Sequence, residues 1–515
     1  MKKLLVLLLI LGFGFVKPNH KEIEAVNLEE VHYNTDIYYQ IFVRSFADSN
    51  GDGIGDLNGI TEKLDYLEYL GVTGIWLTPI NVAKGYHGYD VYDYYNIQKE
   101  YGTIEDLKNL IEEADKRGIK VILDMVFNHT VDKHPWFYNK ETRNDYYVFN
   151  NSKYVDTFAF TRDLNLRNED VVNELINVIH FYQDLGVRGF RFDAVKHYFK
   201  DKPKYPNYSN NPDKEGLDFL RKIRNAALEK DPNVYFVSEY FQGYYPDYQA
   251  FYEVNDSMFN FDLYYKLTEP NRLGGLSNYL ETMYNSFKSI NPNYLDAPFL
   301  TNHDVDRIAS FRSEKELKAL SSIILTLPGN PFIYYGEEIG MKGISNKTPI
   351  AVSVQGYNYY DPVNEIYAEN EGAYDEFLRL PFLWDKGDPS LTTWFPMDSP
   401  RINEMFERVG LTYEEPISVS NQAIDKNSLF NHYRNLIKLR KENPALMYGD
   451  KFTAYNISND KIVAFIREYN QNGINQRVLV IINASNTTYD VTEQTKDLFG
   501  TKEVAPYEIY VGLLN

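Results

Sequence analysis

From residue 37 to residue 335, short apolar runs alternate with longer helical stretches, and this rhythm constrains the fold more than any other feature. Residues 37–42, 74–79, 120–127, 189–195, 234–238, 258–261, 298–301 and 331–335 read as strands. Residues 60–70, 103–117, 171–185, 217–228, 276–287 and 314–325 carry helical patterns between them, and 428–441 reads as a last one. In 103–117, Leu107, Leu110, Ile111 and Ala114 share one face, with Gly118 just past the end. Strands separated by helices in this way predict an α/β fold, a closed (β/α)8 TIM barrel.

The rhythm breaks in three places. Residues 130–167 are rich in Tyr, Asn, Asp and Lys without a helical period, which predicts a small domain inserted after the third strand. A long polar loop spans 341–422. Beyond Pro444 the pattern turns to short alternating strands at 462–467, 477–483 and 509–511, which predicts a C-terminal antiparallel β-sandwich domain over 444–515. The barrel is thus expected from 26–129 and 168–443. At the N-terminus, Lys2 and Lys3 precede an apolar run over 4–16, too short for a membrane span. Residues 1–25 are expected to be a signal peptide of a secreted protein with no stable membrane insertion, active as a monomer. The chain has no cysteine, so disulfides and thiolate chemistry are excluded. A net charge of −20 argues against a nucleic-acid partner and leaves neutral substrates and cations open.

Working residues of such a barrel sit at the C-terminal ends of its strands. In GFRFDAVKH (189–197), Arg191 and Asp193 fall on one face of a strand, with Phe190, Phe192 and Ala194 on the other. A carboxylate held ionised by an arginine is a candidate nucleophile; a structural salt bridge is the alternative. The third strand ends in Asp124, Asn128 and His129, the fifth in Glu239, and the seventh in Asn302, His303, Asp304 and Asp306. Convergent carboxyls suit glycoside hydrolysis, in which one is ionised and one protonated. Asp193 has Arg191 beside it. Glu239 follows an apolar run and precedes Tyr240 and Phe241, so desolvation favours its acid form.

The motifs DMVFNH (124–129), GFRFDAVKH (189–197), FVSEY (236–240) and FLTNHD (299–304) resemble the four signature regions of the alpha-amylase family of glycoside hydrolases, in family order. The resemblance covers roughly residues 30 to 510. It implies that Asp193 is the nucleophile, Glu239 the general acid/base, and Asp304 the residue that stabilises the transition state and holds sugar hydroxyls. It also implies that Arg191, His129 and His303 line the same sugar subsite, that Tyr89 in YHGYDVYDYY (86–95) stacks beneath that sugar, and that anomeric configuration is retained. The AVKH ending resembles endo-acting alpha-amylases, with Lys196 and His197 on the leaving-group side. TRDLNLRN (161–168) resembles members between the amylases and the oligo-1,6-glucosidases. The implied activity is endo-hydrolysis of α-1,4 bonds in starch and maltooligosaccharides. The alternatives are an exo-acting α-glucosidase or oligo-1,6-glucosidase, a transglycosylase or, since all three carboxyls are present, less readily a non-catalytic glucan-binding protein.

Two Ca²⁺ sites are expected. In the loop 48–56, Asp48, Asn50, Asp52, the Ile54 carbonyl and Asp56 follow the first nine positions of an EF-hand loop, with Gly53 at the turn. Gly59 stands where an EF-hand has its bidentate Glu, so this is a shorter loop of similar logic; an Asx-rich turn is the alternative. The resemblance implies a second site from Asn128, Asp163 and the backbone of His197. Tyr86, His87, Trp136, Trp384 and Trp394 are candidates to extend a sugar groove, with packing as the alternative.

Overall fold

The computed structural model describes residues 34–514 except 140, 151–152, 159, 201, 203–210, 269–272, 346–357, 362–365, 370–374, 396–406 and 408–417. The expected signal peptide and parts of the long loop after the eighth strand lie outside the described residues.

Seven parallel strands form one curled sheet in the order Ser257–Met258, Tyr235–Ser238, Gly189–Phe192, Lys120–Met125, Gly74–Leu77, Tyr38–Ile41 and Phe332–Tyr334. Isolated parallel bridges, Phe259 with Ala297 and Phe299 with Phe332, join the two edges and give the sheet its eighth position. This is the TIM barrel that the alternation predicted. The eighth position forms bridges rather than a ladder because Pro298 has no N–H to give. The expected strand at 258–261 is also shorter. Asn260 Oδ1 accepts from Leu263 N (2.9 Å), and its carbonyl accepts from Tyr264 N, so the chain turns into the helix Phe261–Thr268. The expected helix at 60–70 is two, Leu57–Glu62 and Leu64–Leu70, the first capped by Asp56.

The barrel interior is aromatic. Tyr38 stacks on Tyr235 (5.1 Å) and Phe332 (4.8 Å), and Trp76, Phe259 and Phe299 complete the buried cluster. A Cβ on Gly74 would meet the Tyr38 ring at 2.4 Å, so the strand can pass that ring only with glycine there. A filled interior leaves the strand ends as the place for chemistry. Helices close the outside with sequence-encoded caps, among them the capping boxes Thr103/Asp106 and Ser313/Glu316.

In the inserted segment, His129–Val131 pairs antiparallel with Thr161–Asp163 and ties the insertion to the rim. C-terminally, Lys451–Ala454, Ile462–Gln471, Ile474–Asn483, Ile509–Leu514 and Thr495–Phe499 form a five-stranded antiparallel sheet over a core of Ile462, Ala464, Leu479, Ile481 and Tyr510. Its central hairpin turns on Asn472 and Gly473, both at positive φ, as a two-residue turn requires. Arg440 and Arg467, both buried, donate to the carbonyls of Leu325, Leu327, Gly329, Thr326 and Gly449, and so fix this sheet to the barrel. Among the described residues no helix is long and apolar enough to cross a membrane.

Candidate active site

Arg191 is the centre of the strand-end cluster. Its Nη1 donates to Asp124 Oδ1 and to Asp193 Oδ1, both at 2.8 Å, and its Nη2 lies 3.1 Å from Glu239 Oε2. Register explains this. Arg191 stands opposite Asp124 on one neighbouring strand and Val237 on the other, two residues before Glu239. The guanidinium sits over the rings of Trp76 (5.2 Å) and Tyr89 (5.7 Å). After Asp193 the chain leaves the strand through Ala194, whose φ of +50° is unusual for a non-glycine. That turn aims the Ala194 N–H at Glu239 Oε2 (3.1 Å). Oε2 thus accepts from both Arg191 and Ala194, which leaves Oε1 to carry a proton.

The acid form of Glu239 follows from its surroundings. Burial raises its pKa to about 8, against the pull of Arg191 and with help from Asp193 and Asp304. Burial likewise raises Asp124 to about 7, opposed by Arg191. Asp304 goes the other way. Burial pushes it up, but His303 and Arg379 outweigh that and hold it below the ordinary carboxylate range. Arg379 supplies the permanent charge, since burial lowers His303 and favours its neutral form. Gln40 Nε2 donates to His303 Nδ1 (2.7 Å), so Nε2 carries the hydrogen toward Asp304 Oδ2 (2.9 Å) and Tyr89 Oη (2.7 Å). Tyr89 donates onward to Asp124 (2.9 Å) and stacks on His303 at 5.2 Å. His129 Nε2 bonds the Tyr89 carbonyl (2.8 Å).

Asp193, Glu239, Asp304, Tyr89, His129 and His197 line one cavity of about 760 Å³, in the range of roughly 300–1,000 Å³ common for small-ligand sites. Arg191 and His303 sit directly behind it. Lys196 stands apart, its ammonium on the Phe241 carbonyl (3.1 Å). His87 lines the cavity, whereas Trp384 and Trp394 are buried packing residues and Trp136 packs against Tyr94 and His134. Tyr86 is buried behind the wall, its hydroxyl on Asp375.

Arg379 went unnoticed in the sequence. It is buried and bridges Asp304 Oδ1 (3.1 Å) and Asp375 Oδ2 (2.7 Å), while its Nε donates to the His303 carbonyl. The available signal was an arginine inside the apolar run FLRLPF of an otherwise polar loop. Phe158 and Phe160, on the same cavity, also went unnoticed.

The two expected calcium sites differ. Around 48–56 all donors are oxygens, which fits a hard cation. Here Asp48 accepts from the N–H groups of Asn50, Gly51 and Gly53, Asn50 from Asp52 N, Asp52 from Ile54 N, and Asp56 from Ser49 and Gly59. Among the described residues no three acidic or histidine side chains converge as a metal group. The second site is corrected. Lys202, with 1% of its side chain exposed, places its ammonium 3.2 Å from Asp163 Oδ2, 3.3 Å from Asn128 Oδ1 and 3.4 Å from the Leu164 carbonyl. The chain's own cation fills the place between those oxygens, so Asn128, Asp163 and the His197 backbone do not fit a Ca²⁺ ion.

A parallel barrel with a buried acid, an ion-paired aspartate and a third carboxylate on its C-terminal rim defines a barrel glycoside hydrolase. Residues 40–449 match the family model for the alpha amylase catalytic domain. Alpha-amylase 3 of Dictyoglomus thermophilum is 34% identical over 91% of this chain and 89% of its own. An oligo-1,6-glucosidase of Parageobacillus thermoglucosidasius is 30% identical over 93% and 94%. A solved alpha-amylase from H. orenii superposes with a TM-score of 0.76 at 33% identity, covering 94% of this chain and all of its own. The chain belongs to the alpha-amylase family of glycoside hydrolases and is an enzyme.

Proposed function

We propose that this enzyme cleaves internal α-1,4-glucosidic bonds of starch and maltooligosaccharides with retention of configuration. The observation that carries this is the single guanidinium of Arg191 touching both Asp193 and the raised-pKa Glu239 on one cavity. The Glu239 Oε1 proton goes to the glycosidic oxygen as the Asp193 carboxylate attacks the anomeric carbon and the C–O bond breaks. The resulting Glu239 carboxylate then takes a proton from water, which releases the sugar from Asp193. Asp304, fixed by Arg379 and His303, accepts from sugar hydroxyls.

The same chemistry serves an exo-acting oligo-1,6-glucosidase, and the DLN segment at 163–165 together with the 30%-identical relative favours that second reading. A product time course separates them. Rapid loss of iodine-staining starch with mixed maltooligosaccharides of α-configuration supports endo attack; glucose alone from the start overturns it. We further propose that the enzyme is exported, on the strength of Lys2, Lys3 and the apolar run 4–16, that it works as a monomer, and that the loop 48–56 holds Ca²⁺ through Asp48, Asn50, Asp52, the Ile54 carbonyl and Asp56. There the ion's positive charge would offset the loop's carboxylates and brace the turn.

A further inference from the structure

Phe160 is placed unlike a packing residue. Its ring is 71% exposed, yet it lines the same cavity as Asp193, Glu239 and Asp304. Its φ is +63°, a left-handed conformation that disfavours a large side chain by about 1–2 kcal/mol. A bulky apolar residue in water on strained backbone is costly twice over, so folding alone does not account for it.

The turn that carries it is fastened at both ends. Thr157 donates through N (3.0 Å) and Oγ1 (2.6 Å) to Asp163, the carboxylate that Lys202 pairs. Thr161 Oγ1 donates to the Phe158 carbonyl (2.7 Å), and Asp132 N to the Phe160 carbonyl (3.2 Å). Lys84 places its ammonium 5.1 Å from the Phe160 ring centre. Phe158 stands between His129 (5.0 Å) and His197 (5.6 Å) and continues the apolar wall down to the strand ends.

We propose that Phe160, backed by Phe158, is the platform on which the sugar of the leaving group stacks. The apolar C–H face of a pyranose covers an exposed aromatic ring, and burial of both repays the strained placement. Phe158 lies against His197, the segment that leads away from Asp193 past Ala194 and Glu239, which puts the platform on the side where the leaving oxygen takes its proton. The platform rests on the glucan-hydrolase reading above.

The test compares two leaving groups. On maltotetraose the leaving group is a sugar; on α-maltosyl fluoride, followed by fluoride release, it is not. Phe160→Gly suits the left-handed backbone, so its melting temperature is expected to hold or rise while the ring is lost. The proposal expects kcat/KM on maltotetraose to fall about five- to tenfold in Phe160→Gly and Phe160→Ala, fluoride release to stay within about twofold, and Phe160→Tyr to match wild type on both. Equal loss on both substrates, or no loss on either, overturns the platform. If the wild type itself cleaves neither substrate, the glucan-hydrolase reading falls and the platform with it.

Discussion

The catalytic floor and the seam beneath the inserted segment both bury carboxylates against a cation of the chain, and they differ in the count. At the seam one ammonium, Lys202, meets one carboxylate, Asp163, with the amide of Asn128 and a carbonyl completing the shell. On the floor Asp124, Asp193, Glu239 and Asp304 share two guanidiniums, Arg191 and Arg379. A balanced buried pair is inert. A surplus of buried carboxyls must keep a proton, and the one left with it is Glu239, whose burial outweighs the pull of Arg191. The difference between a structural joint and a site that moves protons is thus one of stoichiometry.

The sharpest way to break that contrast is to remove the proton. Glu239→Gln keeps the shape of the side chain and its contact with Ala194 N, but it cannot give up a hydrogen. We expect hydrolysis of maltooligosaccharides to fall about 10³–10⁴-fold, with binding kept, by steady-state kinetics and calorimetry. In the wild type, activity should decline as pH rises through about 8, where Glu239 loses its proton. An unchanged rate in the variant would mean the acid lies elsewhere.

Next in size is the seam. Lys202→Met leaves Asp163 and Asn128 buried without their cation, and we expect a loss of about 3–5 kcal/mol of stability in chemical denaturation. Lys202→Met with Asp163→Asn removes both charges and should recover part of it. If the single variant is as stable as wild type, the seam is not the balanced pair described.

These two predictions also mark what the sequence made legible. Each floor residue named from sequence lies at the end of a strand, where period-two alternation and the barrel's geometry together say which way it points. Arg379 and Lys202 come from the loops after the eighth and fourth strands, where no periodicity reports direction and only the tertiary fold names the partner. The second calcium expectation failed for that reason: Asn128 and Asp163 were visible as ligands, while the lysine that replaces the metal lies on a separate loop, further along the chain than either. The eighth barrel position was blurred by Pro298, and the strand at 258–261 by Asn260, a polar residue that trades the ladder for a helix cap.

A third prediction follows from proton linkage. The folded pKa of Glu239, about 8, lies above its ordinary 4.5. The folded protein therefore binds that proton more tightly, and the associated stability is present below about pH 4.5 and lost as pH rises through about 8. The amide introduced by Glu239→Gln cannot ionise. Between about pH 5 and 9 the wild type should lose about 2–4 kcal/mol relative to that variant, which becomes the more stable protein on the alkaline side. Parallel stability curves for the two would show that the floor holds no surplus carboxyl. At the seam the same scan on the Asp163→Asn, Lys202→Met double variant should show no such divergence.

The smallest effect separates the seam from the loop at 48–56. A loop that recruits its cation from solvent is sensitive to chelation; a seam that carries its own is not. An ion present at about a hundred times its dissociation constant contributes about 2.7 kcal/mol, so saturating chelator should lower the melting temperature by a few degrees. Asp52 is the cleanest control, since it is exposed and its carboxylate accepts from the Ile54 N–H two residues on, within the loop itself. Asp52→Ala should shrink the chelator response, and Lys202→Met should leave it unchanged although its starting temperature is lower. A response that survives Asp52→Ala in full would place the ion elsewhere. A response abolished by Lys202→Met would place it at the seam, and the stoichiometric contrast between the two buried sites would then fail.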